Sequence, residues 1–163
     1  MPGSFDFIRT EDKPALIAFS TPEWLETARA TLTGLGYKVH TAASHSDFLT
    51  RFSQVRYQVV IIEELFCANK IEENQTLQAI RIMSVNRRRH ATIILMGNSF
   101  QTFTPMEAFK HGVHAVINSS EMSLLKQLIE KAVTDNALFL HSFREVQDRL
   151  YATGNTLVTP VSF

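Results

Sequence analysis

The chain has 163 residues, 45% of them hydrophobic and 20% charged, which is the composition of a single globular domain with a sizeable core. Its 16 Lys and Arg residues balance 16 Asp and Glu residues, so no basic excess points to nucleic acid or an anionic membrane surface as a partner. No apolar run is long enough to cross a bilayer, and the one cysteine, Cys67, cannot form an internal disulfide. These features predict a cytoplasmic protein without a membrane segment.

Short apolar runs alternate with helical patterns after a polar leader at residues 1–13. Ser20 with Glu23 fits a capping box at the start of the first helix, and Thr21 with Pro22 fits a cap followed by a proline in the first turn. Gly36 and Gly112 are suited to end helices. The predicted strands lie at residues 15–19, 37–41, 57–62, 92–96 and 115–117.

Five strand–helix units in succession predict a parallel sheet with helices on both faces. The run at residues 57–62 is apolar on both faces, as expected for a strand in the middle of such a sheet. The series is typical of the flavodoxin-like doubly wound α/β fold, with strand order 2-1-3-4-5. We expect this domain to occupy residues 14–133.

The last helical pattern runs from Ser120 to Tyr151, with Ser119 and Ser120 as its expected caps. It passes the end of the domain, so residues 134–152 are predicted to extend the helix and residues 153–163 to form a flexible tail. Apolar positions along it alternate by steps of four and three, which is a heptad seam with Asn136 at a position that can fix register. The free part of the seam predicts a homodimer interface at Asn136, Phe139, Phe143, Val146 and Leu150. Two alternatives to the dimer remain. The extension could bend back at Asn136 and cover its own domain, or it could lead to an output domain.

Three local phrases resemble the receiver domain of two-component response regulators. Residues 35–39 resemble its turn into the second strand, residues 57–63 its third strand, and residues 108–117 its fourth helix, glycine turn and fifth strand. The resemblance covers roughly residues 14–133 and implies the CheY-like form of the flavodoxin-like fold. It also implies a signalling function in which an aspartate after the third strand accepts a phosphoryl group beside a magnesium ion.

Position by position, the signature residues of that family are replaced. The family's acidic pair falls on Phe19 and Ser20, its phosphoacceptor aspartate on Glu63, its hydroxyl residue on Gly97 and its lysine on Ser119. Few carboxylates remain to hold magnesium, and glutamate displaces the acceptor by one methylene, which in-line phosphoryl transfer tolerates poorly. The resemblance therefore implies a degenerate phosphoacceptor pocket, formed by Phe19, Ser20, Glu63, Glu64, Gly97 and Ser119.

Glu63 and Glu64 stand at the carboxyl end of a central strand, where open α/β sheets bind their ligands. Their charge could imitate a phosphorylated aspartate. We favour the simpler interpretation, a solvated pair at the end of a strand, because no lysine remains at Ser119 to contact the charge. Ser20 likewise has a sufficient explanation as a helix cap.

Other polar groups give weaker indications. The basic segment 87–90 could bind phosphate or an acidic partner, although a solvated connector is the commoner explanation. The six histidines show no tight metal-ligand pattern, and His111 and His114, which are three apart, lie on either side of Gly112 at a predicted helix end, which argues against a metal site there. Cys67 has no base near it in the sequence that would activate a nucleophile.

The sequence therefore predicts a pseudo-receiver that is not phosphorylated and acts as a protein–protein interaction or dimerisation module in signal transduction. We expect no catalytic residue, metal or cofactor, and a signalling protein or a second copy of the chain as the partner. The alternative is a domain that binds a nucleotide or another small ligand in the crevice at the strand ends.

Overall fold

The computed structural model describes residues 7–152. The expected tail at 153–163 and the first six residues of the expected leader lie outside this part of the chain. Five strands form one parallel sheet in the order β2-β1-β3-β4-β5, which confirms the predicted fold and topology. The strands are β1 (Pro14–Ala18), β2 (Lys38–Thr41), β3 (Val59–Glu63), β4 (Thr92–Gly97) and β5 (Ala115–Asn118).

Helices connect successive strands and cover both faces of the sheet. Two 3-10 turns lie at Ile71–Glu73 and Ser119–Leu124. The helices are α1 (Pro22–Gly34), α2 (His45–Gln54), α3 (Gln75–Ile82), the short α4 (Val85–Arg88), α5 (Pro105–His111) and α6 (Leu125–Ala152). None of the helices in residues 7–152 is both long and apolar enough to span a membrane.

The sheet separates two hydrophobic cores because successive strand residues point to opposite faces. On one face Val60, Ile62 and Leu95 pack under α2, α3 and α5. On the other, Ile61 and Ile94 pack under α1 and the first half of α6. Every residue of β1, β3 and β4 is buried, which explains their nearly unbroken apolar sequences.

Two glycines end helices as predicted. Gly36 and Gly112 have φ values of 90° and 70°, in the left-handed region that residues with a Cβ atom rarely adopt. Gly112 is the cap of α5, and its backbone N–H bonds to carbonyls of that helix. The basic connector at 86–90 contains most of the short helix α4.

Candidate functional site

The carboxyl ends of the strands lie at one edge of the sheet, and the parallel register places the expected pocket residues along that edge. Glu63 pairs with Met96 of β4, and Gly97 pairs with Asn118 of β5. Phe19 and Ser20 directly follow β1, which lies on the other side of β3. We call this edge, between the ends of β1, β3, β4 and β5, the strand-end crevice.

At the end of β1 the position of the family's acidic pair is filled by structural residues. Phe19 is buried in the core that α1 and α6 cover. The hydroxyl of Ser20 accepts a hydrogen bond from the backbone N–H of Cys67 at 2.8 Å. Thr21, and not Ser20, is the N-cap residue of α1, and its side chain makes no capping bond. The capping box predicted for Ser20 is therefore wrong, since its hydroxyl instead holds the loop that follows β3.

Glu63 is buried and bonded within the chain. Only 4% of its surface is exposed, and its Oε1 accepts a hydrogen bond from the backbone N–H of Thr21 at 3.0 Å. The side-chain amide of Asn74 donates to the carbonyl oxygens of Glu63 and Glu64 at 3.1 and 3.0 Å. Asn74 also caps α3 by accepting from the N–H of Leu77. Sequence reasoning missed Asn74, although an asparagine before a helical pattern is a recognisable cap.

Glu64 is directed away from Glu63 and fills the space above β4. It is 5% exposed, and its Oε1 accepts a hydrogen bond from the hydroxyl of Ser99. Its side chain lies directly over Gly97, where an added Cβ atom would come within 2.6 Å of Glu64 Cβ. Glu64 Oε2 is buried and has no hydrogen-bond partner among the described residues. The solvated pair expected from the sequence is therefore wrong, because both carboxylates are enclosed.

At the end of β5 the capping residue is Asn118. Its Oδ1 accepts from the N–H of Ser120 at 2.9 Å, while Ser119 begins the 3-10 turn that precedes α6. The long helix therefore starts at Leu125 rather than at Ser120. Asn118 caps the 3-10 turn before it, so the capping roles predicted for Ser119 and Ser120 are wrong. Asn118 also donates through Nδ2 to the carbonyl of Phe100 and through its backbone N–H to the hydroxyl of Thr102.

The residues of the expected pocket thus belong to several small clusters, each with its own hydrogen bonds to a neighbouring loop. Glu63 bonds to the loop after β1, whereas Glu64 bonds to the loop after β4. Within residues 7–152, no group of three or more His, Cys, Asp or Glu side chains is placed to hold a metal ion. These hydrogen bonds can fix the loops around the crevice. The residues assigned to the phosphoacceptor pocket from the sequence do not face one common position at which a ligand could react.

The remaining polar groups mostly have structural contacts. Arg88 donates to the carbonyls of Ile80 and Gly112, and the guanidinium of Arg89 lies 4.4 Å from the centre of the Phe143 ring. His114 Nδ1 accepts from the N–H of Ile93, and burial together with nearby Arg88 lowers the pKa of His114 to about 4.

The imidazole of His45 is near Cys67 but does not contact its thiol. His45 Nε2 is 3.3 Å from the carbonyl oxygen of Cys67, and the thiol itself contacts the carbonyl of Ala43 at 3.7 Å. His45 Nδ1 is shared with the hydroxyl and the N–H of Thr76. These contacts do not pair the thiol with a base.

The predicted interface on α6 divides into a bonded part and an exposed part. Asn136 is 8% exposed, and its Nδ2 donates to the hydroxyl of buried Thr92 at 3.0 Å. Its amide nitrogen is therefore bonded within its own chain. Phe143 is half-buried under Arg89. Phe139, Val146 and Leu150 are exposed by 66%, 55% and 41%.

A groove between α5 and α6 continues this exposed stripe. Its volume is about 580 Å³, and its walls include Phe109, Val113, Phe139 and Leu140. Phe109 is 83% exposed, which is unusual for a phenylalanine. Since α6 is one helix from Leu125 to Ala152, the extension does not bend back at Asn136. Its 28 residues make it about 42 Å long.

No family model matches the sequence, and no curated protein matches it significantly. Solved structures match in fold. A response regulator from Thermotoga maritima is 12% identical with a TM-score of 0.59, over 76% of this chain and 98% of its own. The chemotaxis response regulator CheY4 of Vibrio cholerae is 19% identical with a TM-score of 0.57, over 73% of this chain and 98% of its own. NtrX from Brucella abortus is 16% identical with a TM-score of 0.61, over 91% of this chain and 31% of its own. The fold is therefore that of response-regulator receivers.

Proposed function

We propose that this chain is a receiver-fold signalling module that is not phosphorylated and acts through protein–protein contact, with a second copy of itself as the partner. The observation that carries the proposal is the enclosed strand-end crevice. Glu63 and Glu64 are buried and bonded to the loops around them, and Ser20 is bonded to the backbone of Cys67. A phosphoryl group and its metal ion would have to displace these contacts before reaching Glu63.

The C-terminal half of α6 supports association. Phe139 and Val146 are seven residues apart, so they lie on one side of the helix, and both are more than half exposed. Phe109 adds a third large apolar side chain across the groove. A contiguous apolar surface of this kind usually marks an interaction site. The proposed interface therefore consists of Phe109, Phe139, Val146 and Leu150, and leaves out Asn136.

Light scattering coupled to size exclusion tests this proposal on the full chain at tens of micromolar. We expect a dimer, and we expect Phe139→Ser with Val146→Ser to yield a monomer whose far-ultraviolet circular dichroism matches that of the wild type. Leu138→Ser is the matched control, because Leu138 is 61% exposed but is not one of the predicted seam positions.

A truncation after Phe143 separates the extension from the body of the domain. It keeps the contacts of Asn136 and Phe143 and removes Val146 and Leu150, so we expect weaker association without loss of the fold. A full chain that is monomeric at these concentrations would contradict self-association. A truncated chain that stays fully dimeric would place the interface on the body of the domain.

A further inference from the structure

The side chain of Glu64 occupies the place in the strand-end crevice where a ligand of an open α/β sheet would lie. Its backbone is fixed, because its N–H donates to Met96 O at 2.7 Å and its carbonyl accepts from Asn74. Its side chain crosses Gly97 and reaches Ser99. Any residue with a Cβ atom at Gly97 would collide with it, so the crevice is shaped around this one carboxylate.

Packing alone does not account for a carboxylate at this position. A buried carboxylate is costly unless its oxygens are hydrogen-bonded, and Glu64 Oε2 has no partner among the described residues. An apolar side chain of similar volume would fill the space without this cost. The polar contact that the side chain of Glu64 does make is with Ser99, the second residue of the loop at 98–104 that leads from β4 to α5.

The rest of that loop is held from the opposite side. Asn118 bonds to Phe100 and Thr102, and the N–H of Phe103 donates to the carbonyl of Val116 at 2.8 Å. Thr102 also donates to Glu121 of the 3-10 turn. The hydrogen bond between Ser99 and Glu64 therefore connects the first part of the loop to the residue that follows β3.

We propose that Glu64 is an intramolecular ligand of the strand-end crevice, whose carboxylate takes the place of an external anion and holds the loop after β4 against β3. The proposal deepens the proposed function, since it states what keeps the same crevice closed. The chain supplies its own ligand, so closure of the loop needs no phosphoryl donor and no metal ion.

Hydrogen–deuterium exchange of the full chain tests the proposal at the backbone amides of Phe103 and Thr104, which are bonded to the carbonyls of Val116 and Gln101 and therefore report opening of the loop. Glu64→Ala removes the carboxylate, and Gly97→Ala should displace it by placing a Cβ atom 2.9 Å from Glu64 Cδ. Loss of a hydrogen bond to a charged group corresponds to about a tenfold increase in local opening, which we expect in both variants. Glu64→Gln keeps the shape and can still accept from Ser99, so its rates should stay within about threefold of the wild type. Glu73→Ala is the control, because Glu73 is an exposed glutamate in the same connection.

Acetate tests whether the space left by the Glu64 side chain can bind a separate carboxylate. It replaces the atoms that Glu64→Ala removes beyond the Cβ atom, and we expect it to slow exchange at Phe103 and Thr104 in that variant and not in the wild type. Sodium chloride at equal ionic strength is the reference. The proposal is overturned if Glu64→Ala leaves the loop unchanged, if exchange rises equally throughout the sheet, or if acetate does no more than chloride. These readings use no partner and no phosphodonor, so they can fail independently of the proposed function.

Discussion

Replacing Asn136 by alanine tests whether this part of α6 is held by its own sheet or reserved for a second copy. The amide is almost completely buried and donates to the equally buried hydroxyl of Thr92 at 3.0 Å. Removing one partner of a buried hydrogen bond costs about 1–3 kcal/mol. We therefore expect Asn136→Ala to lower the free energy of unfolding by about 2 kcal/mol. For a domain of this size, that change lowers the unfolding midpoint by about 4–8 °C.

A double-mutant cycle separates the hydrogen bond from the lost packing. Thr92→Val removes the hydroxyl and keeps the shape of the side chain. Urea denaturation of the two single variants and the double variant should give a coupling energy of about 1 kcal/mol, because the bond can be lost only once. Light scattering on the same samples should show that association is unchanged.

Two results would refute this reasoning. One is a coupling energy indistinguishable from zero, which would mean that Thr92 and Asn136 do not stabilise each other. The other is an Asn136→Ala variant that dissociates at least tenfold more readily while its unfolding is unchanged. That result would return Asn136 to the dimer interface predicted from the heptad pattern.

Incubation with acetyl phosphate and magnesium should produce no mass gain of one phosphoryl group; a stoichiometric gain that Glu63→Gln abolishes would contradict the proposed function. His114 has a folded pKa of about 4, below its unfolded value of about 6.5, so its contribution to stability is complete above pH 6.5 and is lost as the pH falls through 4. Urea titrations should show a loss of up to about 3 kcal/mol, which His114→Asn reduces and His141→Asn does not. Gly112→Ala should cost about 1–2 kcal/mol in thermal unfolding because φ there is 70°, whereas Gly34→Ala, with open space around it, should be neutral or stabilising.

The fold could be predicted because its determinants are local. The runs at 57–62 and 92–96 are apolar on both faces, which in a chain of alternating strands and helices is compatible with central parallel strands. The left-handed backbone at the end of α5 favours glycine, and Gly112 marks that end in the sequence as in the structure. Boundaries moved by up to five residues, most of all at the start of α6, where a 3-10 turn replaces the first helical turns.

The contacts in the crevice could not be predicted in the same way, because they depend on the path of the loops. Counting from Gly112 placed the family's hydroxyl position on Gly97, yet the hydroxyl that reaches the carboxylate belongs to Ser99, two residues later. Asn74 is eleven residues from Glu63 and meets it only because the connection after β3 folds back. The burial of Glu64 follows from the absence of a side chain at Gly97, and no spacing rule expresses that relation.

The two proposals meet in the loop between β4 and α5. Ser99, near its start, bonds to Glu64, while Phe103, near its end, lines a cavity that also includes Phe139 of α6. The ammonium of Lys131, also on α6, lies 5.1 Å from the centre of the Phe103 ring. If closure of the loop changes the free energy of association at α6, association must change the free energy of closure by the same amount, because linkage between binding equilibria is reciprocal. If both proposals hold, closure needs no phosphoryl donor, and the concentration of the second copy becomes the variable that sets the state of the module.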